Sequence, residues 1–517
     1  MFLALLIGLL TLLIVGDYLR KRRHNEIFKK NGINSMPSLP IIGVAHHLIK
    51  KTPADMIEFT GEVLKNIGKT CNLWLLNQST ILTADPVFLE PLLSSQKVLT
   101  KNNLYGLLSP WLREGLLLST GSKWHSRRKI ITPTFHFKIL EEFVGVFERQ
   151  SNVMMGLLRE KADGKTVVNL YSFVCAMALD VIAETAMGVK IHAQLQPDLP
   201  YVKAVRTVSA ITSARFVSML QRFDFWLWLT ANSTYKQLHS SIALMHDFTG
   251  KVIEERRKLL EQNIKNPQAT QTKISEAQQD DDDEDVGRKK HTAFLDMLLL
   301  AETNGQPLTN NDIREEVDTF MFEGHDTTTS GISFTCYLLS RHPNVQQKVF
   351  EEIRAVIGDD KQRSITLRDL QELKYLECVI KESMRLYPPV PSIGRYIEQD
   401  IYLDGKLYPA NTNVTVMIYH ALRDPAYFKD PEKFIPERFY SDNIEKINTF
   451  AYVPFSAGPR NCVGQKFALL EMKSTISKIL RHYELLPLGE DVRPLMNLVL
   501  VSSNGVNMGL KSRLYHN

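Results

Sequence analysis

The stretch that decides the fold of this chain runs Phe455-Ser456-Ala457-Gly458-Pro459-Arg460-Asn461-Cys462-Val463-Gly464. Apolar periodicity just after it predicts a helix. The N–H groups and the dipole at a helix N-terminus stabilise a thiolate, which is a strong metal ligand. Glycines at positions 458 and 464 allow a flat macrocycle to approach the backbone. The stretch therefore indicates a thiolate ligand beside a planar cofactor.

A lone cysteine is more often a buried structural residue than a ligand. Five specified residue types in such a window, however, arise by chance on the order of once in ten thousand chains of this length. The window resembles the haem-binding loop of the cytochromes P450, whose pattern is F-x-x-G-x-R-x-C-x-G. The resemblance implies that Cys462 is the axial ligand of a haem b iron, and that Phe455, Arg460 and Gly464 contact the cofactor.

Other motifs of that family occur upstream. Glu382 and Arg385 match its E-x-x-R pair and share a helix face, where Arg438 of Pro436-Glu437-Arg438-Phe439 could share the carboxylate. Alone, the pair would be interpreted as a surface ion pair. The resemblance implies a structural lock beneath the haem.

Cationic residues are expected around the two haem propionates. Trp124 and Arg128 match the family motif W-x-x-x-R, and the resemblance assigns Arg395 to a propionate as well. With Arg460 these groups would neutralise carboxylates that otherwise could not be buried.

The segment Phe322-Glu323-Gly324-His325-Asp326-Thr327-Thr328-Thr329 matches the oxygen-activating helix of the family, except that Glu323 replaces a small residue. Thr327 lies four residues after Glu323, so its hydroxyl can bond to that carbonyl and open the helix locally. The resemblance implies that Thr327 delivers protons and that Asp326 links it to solvent. Threonine clusters in ordinary helices usually serve packing.

Glu323 makes the chain similar to family 4 of the cytochromes P450. In many members the equivalent glutamate forms an ester with a haem methyl group, which implies the same here; the alternative is a protonated acid in an apolar cavity. An ester would narrow the approach to the iron and favour terminal hydroxylation of a fatty acid. Four apolar residues are assigned to the space above the haem, although they could equally be core: Leu116, Leu117, Val390 and Ile393.

Composition supports one large domain. The chain has 517 residues and a net charge of +5, too small for an extended nucleic-acid-binding surface. Five widely spaced cysteines without a C-x-x-C pair do not form a disulfide framework. The predicted segments are an apolar membrane anchor at 1–19, a basic linker with a proline hinge at 20–52, and the haem-thiolate monooxygenase domain at 53–517.

The expected fold class is mainly α with a small β portion, a cytochrome P450 fold preceded by one transmembrane helix. Helices are predicted at 310–340 and 367–386. Strands at 395–403 and 412–419 are joined across a turn, and a hairpin at Asn504-Gly505 joins 498–501 to 506–510. An acidic run makes 262–290 a solvated loop.

The predicted activity is hydroxylation of an apolar substrate with O2: a fatty acid or related lipid, or alternatively a hormone or a foreign compound. An isomerase or dehydratase that does not use O2, and a non-catalytic haem sensor, remain as alternatives.

The resemblance implies location in the endoplasmic reticulum membrane with the catalytic domain on the cytosolic face. It also implies electrons from NADPH-cytochrome P450 reductase, with cytochrome b5 as a second candidate donor. Arg127, Lys129 and Lys466 are the expected docking patch. The aromatic cluster at 223–228 is assigned either to packing or to the bilayer.

Overall fold

The computed structural model describes residues 1–196, 199–265, 294–303, 305–444 and 447–514. Helices dominate and strands form a small part, which confirms the predicted fold class. The α-helices span Phe2–Lys30, Met56–Ile67, Pro86–Ser94, Ser109–Leu112, Gly121–Ile131, Phe137–Leu158, Leu170–Ile182, Pro200–Val217, Asp224–Thr230, Asn232–Lys265, Phe294–Leu299, Asn310–Arg341, Pro343–Ile357, Leu367–Glu372, Lys374–Leu386, Ile418–Ala421, Ser441–Ile444 and Gln465–His482.

The central helix, Asn310–Arg341, organises the domain. It begins at a capping box in which the Thr309 hydroxyl accepts the Asp312 N–H at 3.2 Å and the Asp312 carboxylate accepts the Thr309 N–H at 3.1 Å. It ends just before Pro343, which cannot continue a helix. Most of its residues are buried, because helices pack around it on several sides. The chemistry-bearing segment predicted on this helix therefore lies in the interior.

The strands are β1 (Asn34–Ser35), β2 (Thr70–Leu75), β3 (Gln78–Thr83), β4 (Asp163–Asn169), β5 (Glu302–Thr303), β6 (Gln306–Pro307), β7 (Ile393–Ile397), β8 (Ile401–Leu403), β9 (Lys406–Tyr408), β10 (Thr412–Val416), β11 (Tyr483–Leu486), β12 (Pro494–Met496), β13 (Leu500–Ser502) and β14 (Asn507–Ser512). The largest sheet has the order β1-β2-β3-β10-β7. Within it β10 runs parallel to β3 and antiparallel to β7, with Val414 opposite Ile81 and Arg395.

Two predicted β features differ from the structure. The run at 395–403 is divided between β7 and β8, and β8 forms its own hairpin with β9 across Asp404 and Gly405. The hairpin predicted at Asn504-Gly505 is wrong: a turn does occur there, but β13 pairs with β12 whereas β14 pairs with β11 and β4. The turn therefore joins two sheets and not two strands of one hairpin.

The N-terminal helix continues past the apolar run. Its first half is exposed and is apolar enough to cross a membrane. Its second half, within the predicted linker, packs on the domain: the Asn25 side-chain oxygen accepts from the Trp74 indole at 2.8 Å and from the Asn72 amide at 3.0 Å, and Phe28 is fully buried. A second apolar helix, spanning Leu170–Met187 with its terminal π-turn, is mostly buried and belongs to the core.

Two further segments, one predicted as a helix and one as a loop, differ from the prediction. The predicted helix at 367–386 is two helices, interrupted where Leu373 leaves helical geometry. Of the predicted loop at 262–290, the first four residues belong to the helix Asn232–Lys265 and the remainder lies outside the described residues.

The apolar interior consists of a large cluster among the helices and a smaller one beneath the largest sheet. Residues of both clusters line one deep cavity, so the cavity lies where the helical and sheet parts meet.

Candidate functional site

The cavity has a volume of about 450 Å³ and is walled by the central helix, the helix Gly121–Ile131, β7 and the loop at 455–464, here called the cysteine loop. Its lining is mostly apolar. The four residues predicted above the cofactor are all part of the wall: Leu116, Leu117, Val390 and Ile393.

The cysteine loop holds the thiol at the cavity floor. The Cys462 N–H donates to the Phe455 carbonyl at 3.0 Å, which closes the loop. Gly458 has φ +67°, and a Cβ there would lie 1.9 Å from the Leu93 carbonyl oxygen, so only glycine fits. The helix Gln465–His482 starts directly after Gly464. The Cys462 side chain lies within the protein and is accessible from the cavity.

The surroundings of Cys462 disfavour a free thiolate. Burial raises the pKa of the Cys462 thiol to about 11, and nearby Glu323 adds to the shift, whereas the Gly464 N–H and the Arg128 guanidinium oppose it. A metal cation bound to the sulfur would supply the missing stabilisation and displace the proton. The site is therefore suited to a metal-bound cysteine more than to a free nucleophile.

Arg128 and Arg460 link the helix Gly121–Ile131 to the cysteine loop. Arg128 donates to the backbone and side-chain oxygens of Asn461 at 2.9 and 2.6 Å. Arg460 donates to three backbone carbonyls at 2.7–2.8 Å and lies 4.8 Å from the centre of the buried Trp124 ring. Three of its five N–H donors are thus used, which leaves two for a carboxylate.

Arg395 lies behind the cavity wall and not in it. It is 1% exposed and donates to the Gly394 carbonyl at 3.0 Å and to the Ser456 hydroxyl at 3.5 Å. Burial lowers the pKa of Arg395, and burial together with Arg395 lowers the pKa of Arg460 to about 9. These arginines destabilise each other's charge, so an anion between them would be stabilised.

The charge balance of the wall tests whether a haem fits. Among the described lining residues four are cationic, Lys101, Arg128, Arg222 and Arg460, against one carboxylic acid, Glu323. A cavity wall with more cationic than acidic side chains favours an anionic ligand. The two propionates of a haem would meet this preference beside Arg128 and Arg460, Cys462 would hold its iron, and the apolar lining would contact its macrocycle.

The central helix contributes Glu323 and Thr327 to the wall. The Thr327 hydroxyl donates to the Glu323 carbonyl at 2.7 Å, the contact expected from their spacing. The expected local opening does not occur in these described residues, since the helix is continuous from Asn310 to Arg341. Thr328 and Thr329 make similar bonds to the backbone, at 2.8 and 2.6 Å, and do not interrupt the helix either. Burial raises the pKa of Glu323 to about 6, against the opposing effect of Lys101.

Asp326 does not line the cavity. Its carboxylate accepts from the Tyr171 hydroxyl at 3.3 Å, and burial raises its pKa. Successive residues point about 100° apart around a helix, so Asp326 faces the helix Leu170–Ile182 while Thr327 faces the cavity. Thr327 therefore belongs to the cavity wall, and Asp326 belongs to the contact between the two helices behind it.

Residues 34–508 match the family model described as cytochrome P450.

The chain belongs to the cytochrome P450 family.

The curated relatives agree. Cytochrome P450 4d2 of Drosophila melanogaster is 51% identical over 98% of this chain and 98% of its own length. Probable cytochrome P450 4d20 of the same organism is 48% identical over 99% of both chains. Cytochrome P450 4ae1, also from this fly, is 44% identical over the full length of both. The resemblance to family 4 is therefore confirmed.

This P450 is a haem-thiolate monooxygenase that uses O2, redox partners and an apolar substrate. The bound haem supplies oxygen activation; the chain's own residues hold its charges and shape the substrate space. Membership of this family does not favour the isomerase and the haem sensor considered above. The apolar N-terminal helix is consistent with a membrane-bound enzyme.

The predicted structural lock, formed by Glu382, Arg385 and Arg438, lies in the interior of this P450. Arg385 donates to both oxygens of Glu382, at 2.8 and 2.9 Å, and both residues are 0% exposed. Arg438 donates to the same carboxylate at 3.3 Å. The remaining Arg385 donors bind the backbone carbonyls of Leu422, Pro431 and Lys433. The three residues therefore tie the helix Lys374–Leu386 to the segment at 422–438.

One member of the expected docking patch is misplaced. Arg127 is 4% exposed and pairs with Asp312 at 2.6 Å and with Glu316 at 3.5 Å. It lies three residues after buried Trp124 and so shares the inward face of its helix. Lys129 and Lys466 are exposed as expected.

Three ionisable residues of the wall were not predicted from the sequence: Lys101, Tyr105 and Arg222. Lys101 lies 5.0 Å from the centre of the Tyr105 ring, and burial together with Arg395 and Arg460 lowers its pKa well below the usual range. All three come from irregular or short 3-10 segments. No periodicity or motif marks them, since long-range packing alone brings them to the cavity.

Proposed function

We propose that this P450 hydroxylates a fatty acid or related lipid at or near the chain terminus. The observation that carries the proposal is the position of Glu323 in the cavity wall, on the same helix face as Thr327. A carboxyl group there narrows the space beside the cysteine and leaves room for the end of an extended chain. The apolar lining above it suits an alkyl chain more than a polar ring.

Product analysis tests the substrate. The purified enzyme is incubated with reductase, NADPH and a panel of long-chain acids and terpenoids, and the products are identified by mass spectrometry. Terminal hydroxy acids are expected. Recovery of only mid-chain or ring-oxidised products would contradict end-first binding.

Glu323 is further proposed to attach the haem covalently. A Glu323 carboxylate oxygen would bond to a haem methyl carbon as that carbon gives up one proton and two electrons. Together with two electrons from NADPH, these electrons would reduce O2 to water during turnover. Haem that resists extraction into acidic organic solvent, and that becomes extractable in Glu323→Ala, is the expected result. Freely extractable haem in the wild type would contradict the ester and favour a neutral acid at this position.

The proposed location is the cytosolic face of the endoplasmic reticulum. Basic residues follow the apolar part of the N-terminal helix, the order that places a chain's body in the cytosol. The aromatic cluster at 223–228 is largely exposed, with Phe225 at 62% and Trp228 at 49%, which favours contact with the bilayer over packing. Protease protection in microsomes checks the orientation: the catalytic domain is expected to be digested in intact vesicles.

Electrons are proposed to come from NADPH-cytochrome P450 reductase, with cytochrome b5 as an additional donor. Exposed Lys129 and Lys466 lie on the helices adjoining the cysteine loop and offer positive charge to an acidic partner. Lys466→Glu is expected to raise the KM for reductase, most strongly at low salt. An unchanged KM would contradict docking at this surface.

A further inference from the structure

Arg222 is an unusual residue of the cavity wall. It follows the helix Pro200–Val217 and is half-buried. One terminal nitrogen donates to the Phe216 carbonyl, but its Nε atom is buried without a hydrogen-bond partner. A guanidinium has five donors and loses free energy when they are removed from water without partners. The side chain is therefore incompletely satisfied where it meets the cavity.

Its charge is also unbalanced. Arg222 makes no ion pair with any residue in the described part of the chain, and burial alone lowers its pKa to about 10. Arg215 provides the contrast, because its guanidinium pairs with Asp224 and donates to the backbone carbonyls of Gln221 and Arg222. Arg215 thus fixes the loop that carries Arg222, and Arg222 is left free to bind a ligand.

Arg222 is electrostatically remote from the cysteine end of the cavity. The pKa of the Cys462 thiol responds to Glu323, Arg128 and Lys101, and these groups also respond to one another or to Arg460. Arg222 is not among the main causes of these shifts. The cavity therefore has two separate positive regions, one around the cofactor carboxylates and one at Arg222, joined by a mostly apolar lining.

We propose that Arg222 binds the carboxylate of a long-chain acid whose alkyl chain extends through the apolar lining toward Cys462. The assignment rests on the proposed function and adds to it the residue that selects acids over neutral lipids. A charge-assisted, paired hydrogen bond from a guanidinium is well suited to a carboxylate.

The surface beside Arg222 supports entry from a membrane. Phe223, Phe225 and Trp226 follow it directly in sequence and are 55%, 62% and 40% exposed. A chain entering from lipid would leave its polar head at this boundary, within reach of a cation. A lipid phosphate has the same anionic chemistry as a fatty-acid carboxylate, so the experiment must separate the two.

The test uses the full-length holoenzyme in phosphatidylcholine vesicles. Palmitic acid and its neutral methyl ester are titrated, and binding is followed by the shift of the haem absorption band. For Arg222→Gln we expect the Kd for palmitic acid to rise about tenfold, because one charge-assisted contact is lost. The Kd for the methyl ester should be unchanged. Arg222→Lys keeps the positive charge but not the paired N–H donors of the guanidinium, so its Kd for palmitic acid should lie between those of the wild type and Arg222→Gln.

Lys236→Gln is the matched control, since it removes an exposed positive charge on the next long helix, outside the cavity wall. Unchanged ester binding in Arg222→Gln shows that the fold is intact. Equal loss for acid and ester, or no loss for either, overturns the assignment; so does weaker vesicle binding with unaltered acid selectivity, which would assign Arg222 to lipid phosphate. If the wild type neither binds nor hydroxylates any acid, the proposed function fails and this assignment fails with it. Selective loss in both Arg222→Gln and Lys236→Gln would also contradict a specific contact.

Discussion

At the scale of the residue, Thr327 shows how one hydroxyl can face the cavity without breaking its helix. Its bond to the Glu323 carbonyl at 2.7 Å fixes the side-chain rotamer and leaves the oxygen lone pairs available on the cavity side. Thr329 makes an equivalent bond to His325 at 2.6 Å but is buried in the helix packing. Comparing Thr327 with Thr329 therefore distinguishes the chemistry of a hydroxyl that faces the cavity from the packing role of a buried threonine.

Thr327→Ala is expected to lower product formed per NADPH consumed by about 100-fold, the range typical of a lost proton-transfer group, while NADPH oxidation continues and releases hydrogen peroxide. Product, peroxide and NADPH are measured in the same reaction. Thr327→Ser retains the hydroxyl and should preserve coupling. Equal uncoupling in Thr329→Ala would show that helix packing, and not the cavity hydroxyl, is responsible.

Fixed spacing in the sequence correctly predicted two of the observed side-chain contacts. Thr327 and Glu323 lie one helical turn apart, as do Glu382 and Arg385, so local geometry brings each pair together wherever the helix lies. Arg127 was misassigned although its spacing from Trp124 puts both side chains on one helix face, which the structure shows to be the inward face. Lys101 and Arg222 were missed for a different reason, since irregular chain segments reach the cavity only through tertiary packing.

At the scale of the element, the lock holds a helix to an irregular segment. Glu382→Gln would leave the Arg385 guanidinium buried without its counter-charge, which costs about 3–5 kcal/mol. We expect a lower thermal unfolding midpoint and less protein showing the red-shifted carbon monoxide band of thiolate-bound haem. Glu490→Gln, which alters an exposed pair with Arg493, should leave both unchanged. A normal midpoint and band in Glu382→Gln would contradict a structural lock.

The N-terminal helix divides into two functional halves. Removing residues 2–16, which leaves Asp17 bonded to the Ile41 N–H and paired with Lys21, should release the protein from membranes with its stability intact. Removing residues 2–30 also deletes the Asn25 acceptor of Trp74 and Asn72 and the buried Phe28, so the unfolding midpoint should fall by several degrees. Sedimentation and thermal unfolding of the two variants check this. Equal midpoints would mean that the second half is a passive linker.

The elements that were predicted wrongly share a physical cause. Helix periodicity is a local property, and the central helix was predicted to within one residue of its observed end. The partner of a strand is not local: β13 and β14 are adjacent in sequence yet join different sheets. A turn sequence such as Asn504-Gly505 specifies a reversal of the chain but not which strands pair across it.

At the scale of the whole molecule, buried carboxylic acids make stability depend on pH. Glu471 is 1% exposed beneath the central helix, and burial raises its pKa from 4.5 to about 8 despite the opposing Thr328 hydroxyl. Between these values the unfolded chain releases the proton and the folded protein keeps it. The contribution of Glu471 to the free energy of unfolding therefore falls as pH rises from about 4.5 to 8, by roughly 3 kcal/mol at pH 7.

Glu471→Gln replaces the neutral acid with a neutral amide of similar shape and removes this dependence. The unfolding midpoint of the variant should decline less than that of the wild type between pH 5 and pH 8, so that the two curves diverge toward alkaline pH. Midpoints are measured in steps of about one pH unit on holoenzyme with an intact carbon monoxide band. Glu490→Gln serves as the exposed control and should follow the wild-type curve. Parallel curves for wild type and Glu471→Gln would mean that the carboxyl is already ionised in the folded protein, and that a cation near it, and not burial, governs its charge.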